Sequence, residues 1–436
     1  MKLEKEQINI HLSALYQAGK LGIEPGKLSG EVFVPQSKSA AHRALIMAFL
    51  SGDMERAKIE EANVSDDITA TKEALLRIGQ AEPGADSALE IDCKESGSTL
   101  RFLIPLVAVL GIHTRFIGRG RLPKSPVKEY EGVFEGSGAE MIYLDPTGLS
   151  LPLEIRGKMR AGDYSLPGNV SSQYISGLLM ALSAAEGASR LVITTELESR
   201  PYVDLTSEVM SAFGVDVDEE ANGYCLSGLQ KPARHEDFEV EADYSQAAFW
   251  LVADYLGSSV ELKNMPEKTA QGDRAIVDLL FGLEQAGKES DQAGKQMLFE
   301  MDARDVPDLV PVFSVAAAAT NCVTKIVHAE RLRIKESDRL VSTAAMLQAL
   351  GIRCEIEEDG LTIYGRSANA KEGTYFTSGT VDSCKDHRLV MAAAVAATKA
   401  EGPVWIVDPA SVEKSYPAFF EDYLNLGGSI YGINVG

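Results

Sequence analysis

Apolar and polar positions along this chain repeat one plan. A short polar turn rich in Ser, Asp or Gly leads into an Ala/Leu-rich apolar run of helix length, and a β-branched run of strand length follows. The first three turns are Pro35-Gln36-Ser37-Lys38-Ser39 before AAHRALIMAFL, Glu95-Ser96-Gly97-Ser98 before TLRFLIPLVAVLG, and Gly168-Asn169-Val170-Ser171-Ser172-Gln173 before YISGLLMALSAAEG and RLVIT. The plan returns at Ala242-Asp243-Tyr244-Ser245 before QAAFWLVADYLG and SSVEL, and at Asp305-Val306-Pro307-Asp308 before LVPVFSVAAAAT and VTKIV. It occurs again at Lys385-Asp386-His387-Arg388 before LVMAAAVAATKAEG and PVWIV. The helical runs are apolar nearly all round, which predicts burial. Ser and Asp stand where helix N-caps belong. KEALLRIG, SEVMSAFG and RLVSTAAMLQALG are amphipathic and are predicted to cover the outside.

The copies are too long for solenoid units, so each reads as a small α/β subdomain. Three precede residue 241 and three follow it, and 436 residues exceed one ordinary core. The prediction is an α/β fold of two domains, each built from three repeated units with buried helices. A helix N-terminus carries unpaired N–H groups and partial positive charge. Several such ends converging on one place make an anion site.

Charge sharpens this. The formal net charge is -22, so the overall field does not attract nucleic acid or an anionic membrane. An anionic small substrate must be drawn by a local basic site. Lys38 and Arg43 flank the first helix start, and Arg43 is predicted to reach back toward Lys38 and Ser39. Arg121 lies in the Gly- and Pro-bounded loop IGRGRLPKSP, and Arg101 lies inside an apolar helix, where a charge needs a partner. RLRIKESDRL is read as helical, with Lys335 and Arg339 on one face and Glu336 three before Arg339. Arg388 and Lys414 complete the basic set. Asp308 and Glu336 are its acidic members, placed to carry protons.

The cysteines, Cys93, Cys225, Cys322, Cys354 and Cys384, have no CxxC spacing, and the histidines no metal-like spacing, so no metal is predicted. An unpatterned odd count suits a reducing compartment. The N-terminus lacks a signal-peptide apolar core, and no run approaches a membrane span, so a cytoplasmic location is expected.

Taken together, SKSAAHRALI, ESGSTLRFLIPL, GRGRLPKSP, PGNVSSQYISGLLMAL, SRPYVDLT, VEADYSQAAFW, DVPDLVPVFSVAA, RLRIKESDRL, DHRLVMA and EKSYP resemble the enolpyruvyl transferase family, in the branch acting on shikimate 3-phosphate. They run in order from about residue 28 to 426. The resemblance implies transfer of the carboxyvinyl group of phosphoenolpyruvate to the 5-hydroxyl of shikimate 3-phosphate, with release of phosphate and no cofactor. It assigns Lys38, Ser39, Arg43, Ser171, Ser172, Gln173, Ser199, Tyr202, Asp308 and Lys335 to shikimate 3-phosphate. Lys38, Gly97, Arg121, Gln173, Arg339, Arg388 and Lys414 are assigned to phosphoenolpyruvate. Asp308 is the implied base for the hydroxyl, and Glu336 with Lys38 the implied proton donor to the methylene carbon.

The resemblance further implies two inside-out α/β barrels that close on substrate, glyphosate as an inhibitor, and a monomer. The domains are expected at 1–34 plus 242–436 on the phosphoenolpyruvate side and 35–241 on the shikimate-phosphate side, with hinges near 28–36 and 238–244. Departures are Gln36 in place of Gly, Arg331 where some members carry Asn, and a longer segment before Lys27. The UDP-N-acetylglucosamine branch of the family expects Lys-Asn at the first turn and a Cys in the loop after the second repeat; here stand Lys38-Ser39 and no Cys from His113 to Pro126. A non-catalytic phosphometabolite binder gives no reason for Asp308 and Glu336 among the cations.

Overall fold

The computed structural model describes residues 12–60, 64–228, 230, 232–233, 236–367 and 373–431. Its contacts fall into two compact units: Gln36–Glu241, and a second formed by Met1–Pro35 with Ala242–Gly436.

The unit Gln36–Glu241 is arranged around three helices that follow the polar turns: α1 (Lys38–Leu50), α3 (Gly97–Leu110) and α4 (Ser172–Leu182). Every residue of α1 from Ala40 to Met47 is buried, and so is every residue of α3 from Thr99 to Val109. The predicted caps are made by side chains: Ser37 accepts from Ala40 N, Ser96 from Thr99 N, and Ser171 from Gln173 N. The amphipathic helices α2 (Asp66–Gly79) and α5 (Arg200–Ala212) pack against α1.

Strands Leu89–Asp92 and Thr114–Ile117 pair in parallel across α3, and Asp163–Leu166 and Ser189–Ile193 pair in parallel across α4. Each pair belongs to a four-stranded sheet completed by antiparallel strands. The third parallel pair joins distant segments, Ala57–Lys58 and Phe238–Glu239.

The second unit repeats the scheme with α6 (Tyr244–Tyr255), α8 (Val310–Ala318) and α10 (His387–Ala397) buried. On its outside are α7 (Ile276–Ala293), which the pattern of apolar positions did not announce, and α9 (Arg339–Ala349). Parallel pairs again flank the buried helices: Met297–Asp302 with Cys322–Val327, and Gly379–Asp382 with Val404–Val407. The distant pair here is Ser29–Val32 with Ser259–Leu262. The segment before Lys27 has a structural place, because strand Lys20–Glu24 sits between Val404–Val407 and Ser429–Ile430 in one sheet.

Asp243 and Asp386 cap α6 and α10. The fifth copy departs from the rule. A 3-10 turn, Pro307–Leu309, leads into α8 with no side-chain cap, and Asp308 turns its carboxylate to two arginines instead.

Candidate active site

In the unit Gln36–Glu241, Lys38, Ser39, Gly97, Ser171, Ser172 and Gln173 stand at the N-termini of the buried helices, while Ser199 and Tyr202 lie at the start of α5 and Arg121 in a loop. The Lys38 ammonium lies 2.8 Å from Asp67 at the start of α2. Arg43 does reach back one turn. Its NH1 donates to Ser39 O at 2.7 Å, its Nε to Thr206 Oγ1 at 2.7 Å, and its NH2 to Ser176 Oγ at 3.2 Å and Tyr202 O at 2.9 Å. Burial draws the Arg43 pKa down to about 10. The residue therefore binds Ser39 and Tyr202 to the same point of the fold. Ser199, at the start of α5, holds a left-handed φ of 54°, a conformation that costs a serine about a kcal/mol or more.

Arg101 finds its partners in two other elements. NH1 donates to Gln173 Oε1 at 2.8 Å, and NH2 donates to Ser125 Oγ at 2.6 Å and Pro126 O at 3.1 Å. Gln173 Nε2 in turn donates to Ser98 Oγ at 2.9 Å, which orients the amide. A Cβ on Gly97 would approach Arg101 NH1 at 2.8 Å, so only glycine leaves this guanidinium its place. The loop that Arg101 anchors carries Arg121, whose side chain is exposed.

Backbone chemistry explains the position of Arg101. Pro105 lies inside α3 and has no N–H to give the Arg101 carbonyl four residues earlier. The Tyr130 hydroxyl donates to that carbonyl at 2.8 Å instead. Gly177 of α4 lies against the same spot, where a Cβ would come within 2.7 Å of Arg101 O.

In the second unit Asp308, Glu336, Arg339, Asp386 and Arg388 form one network. Arg339 NH1 contacts Asp308 Oδ1 at 2.7 Å, NH2 contacts Glu336 Oε2 at 2.5 Å, and Nε contacts Asp386 Oδ2 at 2.8 Å. Arg388 NH2 contacts the other Asp308 oxygen at 2.8 Å. Burial opposes the charge on Arg339, but Asp386, Glu336 and Asp308 together outweigh it and hold its pKa well above the usual value. Lys335 is shifted down, chiefly by burial, against the pull of Asp308. The Lys414 ammonium donates to Lys385 O at 3.1 Å, next to the cap of α10.

One expectation is corrected. RLRIKESDRL is not a single helix: a 3-10 turn covers Glu330–Ile334, Lys335 is extended at φ -80° and ψ -162°, and α9 begins only at Arg339 with Asp338 as its cap. The Asp338 side chain accepting from Val341 N ends the competition in favour of a break. Lys335 and Arg339 thus share no helical face, although Glu336 still meets Arg339. The sequence reading did not assign Asp67, which holds Lys38, or Asp386, which holds Arg339, to the site, nor Ser337, whose hydroxyl donates to Asp386. For Asp386 a signal was present, since it occupies the cap position of the repeat. Among the described residues no group of His, Cys, Asp and Glu is placed to hold a metal ion.

A family model described as EPSP synthase (3-phosphoshikimate 1-carboxyvinyltransferase) matches residues 23–423. The chain belongs to the EPSP synthase family. A 3-phosphoshikimate 1-carboxyvinyltransferase of Clostridium beijerinckii is 39% identical over 96% of this chain and 100% of its own length. One of Clostridium kluyveri is 40% identical over 95% and 99%. The EPSP synthase of Acinetobacter baumannii, a solved structure, superposes with a TM-score of 0.73 at 25% identity, covering 94% of this chain and 99% of that one. The two-unit α/β fold is that of the EPSP synthases, and the chain is a transferase. No helix among the described residues is long and apolar enough to cross a membrane.

Proposed function

We propose that this EPSP synthase family member transfers the enolpyruvyl group of phosphoenolpyruvate to the 5-hydroxyl of shikimate 3-phosphate, with Asp308 and Glu336 carrying the protons. The observation that supports the roles most is the network around Arg339. Both oxygens of Asp308 are held by arginines, one by Arg339 and one by Arg388. Asp308 thus stands where a substrate carboxylate would lie against the two guanidiniums. When phosphoenolpyruvate brings its own carboxylate, Asp308 is released and becomes free to accept the hydroxyl proton.

Glu336 shares Arg339 and is partly exposed; displaced from that guanidinium by the substrate carboxylate, it takes up a proton from solvent and passes it to the methylene carbon. The shikimate oxygen then bonds to the substrate's central carbon. Loss of a proton from the new methyl group restores the double bond as the C–O bond to phosphate breaks. Preorganised positive charge stabilises the leaving phosphate, with Lys38, Arg121 and Lys414 assigned to it.

Lys38, Ser39, Arg43, Ser171, Ser172, Gln173, Ser199, Tyr202 and Lys335 are the proposed shikimate 3-phosphate residues. Gly97 and Gln173 join the phosphoenolpyruvate set. Glyphosate inhibition, a monomeric state and a cytoplasmic location belong to the same proposal. The five cysteines are all free, which fits a reducing compartment.

The test is phosphate release with both substrates, using a UDP-sugar as control acceptor. Release with shikimate 3-phosphate and none with the UDP-sugar is expected. Glu336→Ala and Arg121→Ala are each expected to lower turnover roughly 100-fold or more. Full turnover in Glu336→Ala would remove its role.

A further inference from the structure

Arg339 holds three carboxylates, and they differ in one respect. Asp308 and Glu336 reach solvent, with side chains 20% and 36% exposed, whereas Asp386 is 0% exposed. A substrate anion can exchange with the first two but has no path to the third. Asp386 also accepts from Ser337 Oγ at 3.0 Å and caps α10 through Arg388 N at 3.0 Å. One buried carboxylate therefore fixes Arg339, the residue following Glu336, and the turn that launches Arg388.

A helix cap alone does not call for this charge. Ser37, Ser96 and Ser171 do the same work at α1, α3 and α4 with neutral hydroxyls. Burying a carboxylate is costly unless a cation meets it, and the cation here is Arg339 at 2.8 Å through Nε and 3.4 Å through NH2. The contact lies along the Nε edge of the guanidinium and leaves NH1, with half of NH2, directed at the exchangeable acids.

We propose that Asp386 is a positioning residue for enolpyruvyl transfer: it clamps Arg339 from behind, so that the guanidinium keeps its place when the carboxylate of phosphoenolpyruvate replaces Asp308 and Glu336. Asp386 acts through Arg339 and touches no reacting atom. The inference rests on the assignment of Arg339 to phosphoenolpyruvate.

The test is a steady-state comparison of the full-length Asp386→Asn, Ser337→Ala and Arg339→Gln variants. Asparagine caps a helix as well as aspartate does, so Asp386→Asn keeps the cap and the volume and removes only the charge. Its expected effect is a rise in KM for phosphoenolpyruvate of roughly tenfold to a hundredfold, with KM for shikimate 3-phosphate unchanged. Ser337→Ala is expected to move the same constant in the same direction by less. A purely structural cap would reduce the folded fraction, and with it apparent kcat, and leave both KM values alone; that result overturns the proposal. Should Asp386→Asn fail to fold, Ser337→Ala decides, and an unchanged KM for phosphoenolpyruvate overturns it. Arg339→Gln separates the two layers. If it leaves KM for phosphoenolpyruvate unchanged, the assignment of Arg339 fails; if it raises that KM while Asp386→Asn does not, only the role of Asp386 fails.

Discussion

His42 lies one turn into α1, buried, with Nδ1 at 2.8 Å from Thr71 Oγ1 and Nε2 without a hydrogen-bond partner among the described residues. Burial, then Lys38 and Arg43, hold its pKa well below the usual value, so the folded protein keeps the ring neutral. In the unfolded chain the ring titrates near pH 6.5. Below that pH the unfolded state takes up a proton that the folded state refuses, and folding loses up to about 1.4 kcal/mol per pH unit until the depressed pKa is reached. The loss is absent above the unfolded pKa. Denaturant midpoints at pH 7 and pH 5 are therefore expected to lie closer together in His42→Asn than in the parent, and an equal separation would refute the argument. The sequence marked Arg101 as a buried charge in need of a partner. It did not pair His42 with Thr71, or Arg101 with Gln173 and Ser125, because those partners arrive from other elements, 24 to 72 residues away.

Elements were legible where local chemistry sets them. Ser37, Ser96, Ser171, Asp243 and Asp386 cap the helices that their positions predict. Reading failed at Lys335, where the Asp338 cap starts a new helix only at Arg339, and at Asp308, where long-range pairing with Arg339 and Arg388 replaces the expected cap. Pro105 shows the opposite override, since a helix breaker sits inside α3 and the helix continues. Its tolerance depends on the Tyr130 hydroxyl. Tyr130→Phe should strand the buried Arg101 carbonyl and cost about 1–3 kcal/mol. Gly177→Ala should cost a similar amount or more, because the added Cβ at 2.7 Å meets a backbone carbonyl that cannot rotate away. Thermal or denaturant unfolding of the two variants checks both. Because Arg101 also anchors the Arg121 loop, each should lower kcat/KM for phosphoenolpyruvate. Parent-like stability in both would mean that the contact is not what carries the helix through Pro105.

At the scale of the molecule, repeat counting finds two sets of three units but does not find which strands complete them. Ser29–Val32 pairs with Ser259–Leu262, and Ala57–Lys58 with Phe238–Glu239. The first pair flanks the passage of the chain through the other unit, the second joins the two ends of the unit Gln36–Glu241, and periodicity carries no record of either. The chain passes from one unit to the other at Pro35–Gln36 and again at Glu241–Ala242. The proposed phosphoenolpyruvate residues are divided between the units, with Lys38 and Arg121 in one and Arg339 and Arg388 in the other. A ligand that engages both sets couples them, and any rearrangement must be absorbed where the backbone crosses. Two amides report on those crossings: Ser37 N–H, bonded to Glu241 O at 2.7 Å, and Asp243 N–H, bonded to Pro35 O at 2.9 Å. Their hydrogen exchange measures how often the crossings open. Shikimate 3-phosphate and phosphoenolpyruvate together are expected to slow exchange at both amides more than either ligand does alone. Equal rates with and without the pair, at ligand concentrations that support turnover, would show that the crossings do not respond to substrate, and the expected closing motion would have to be abandoned.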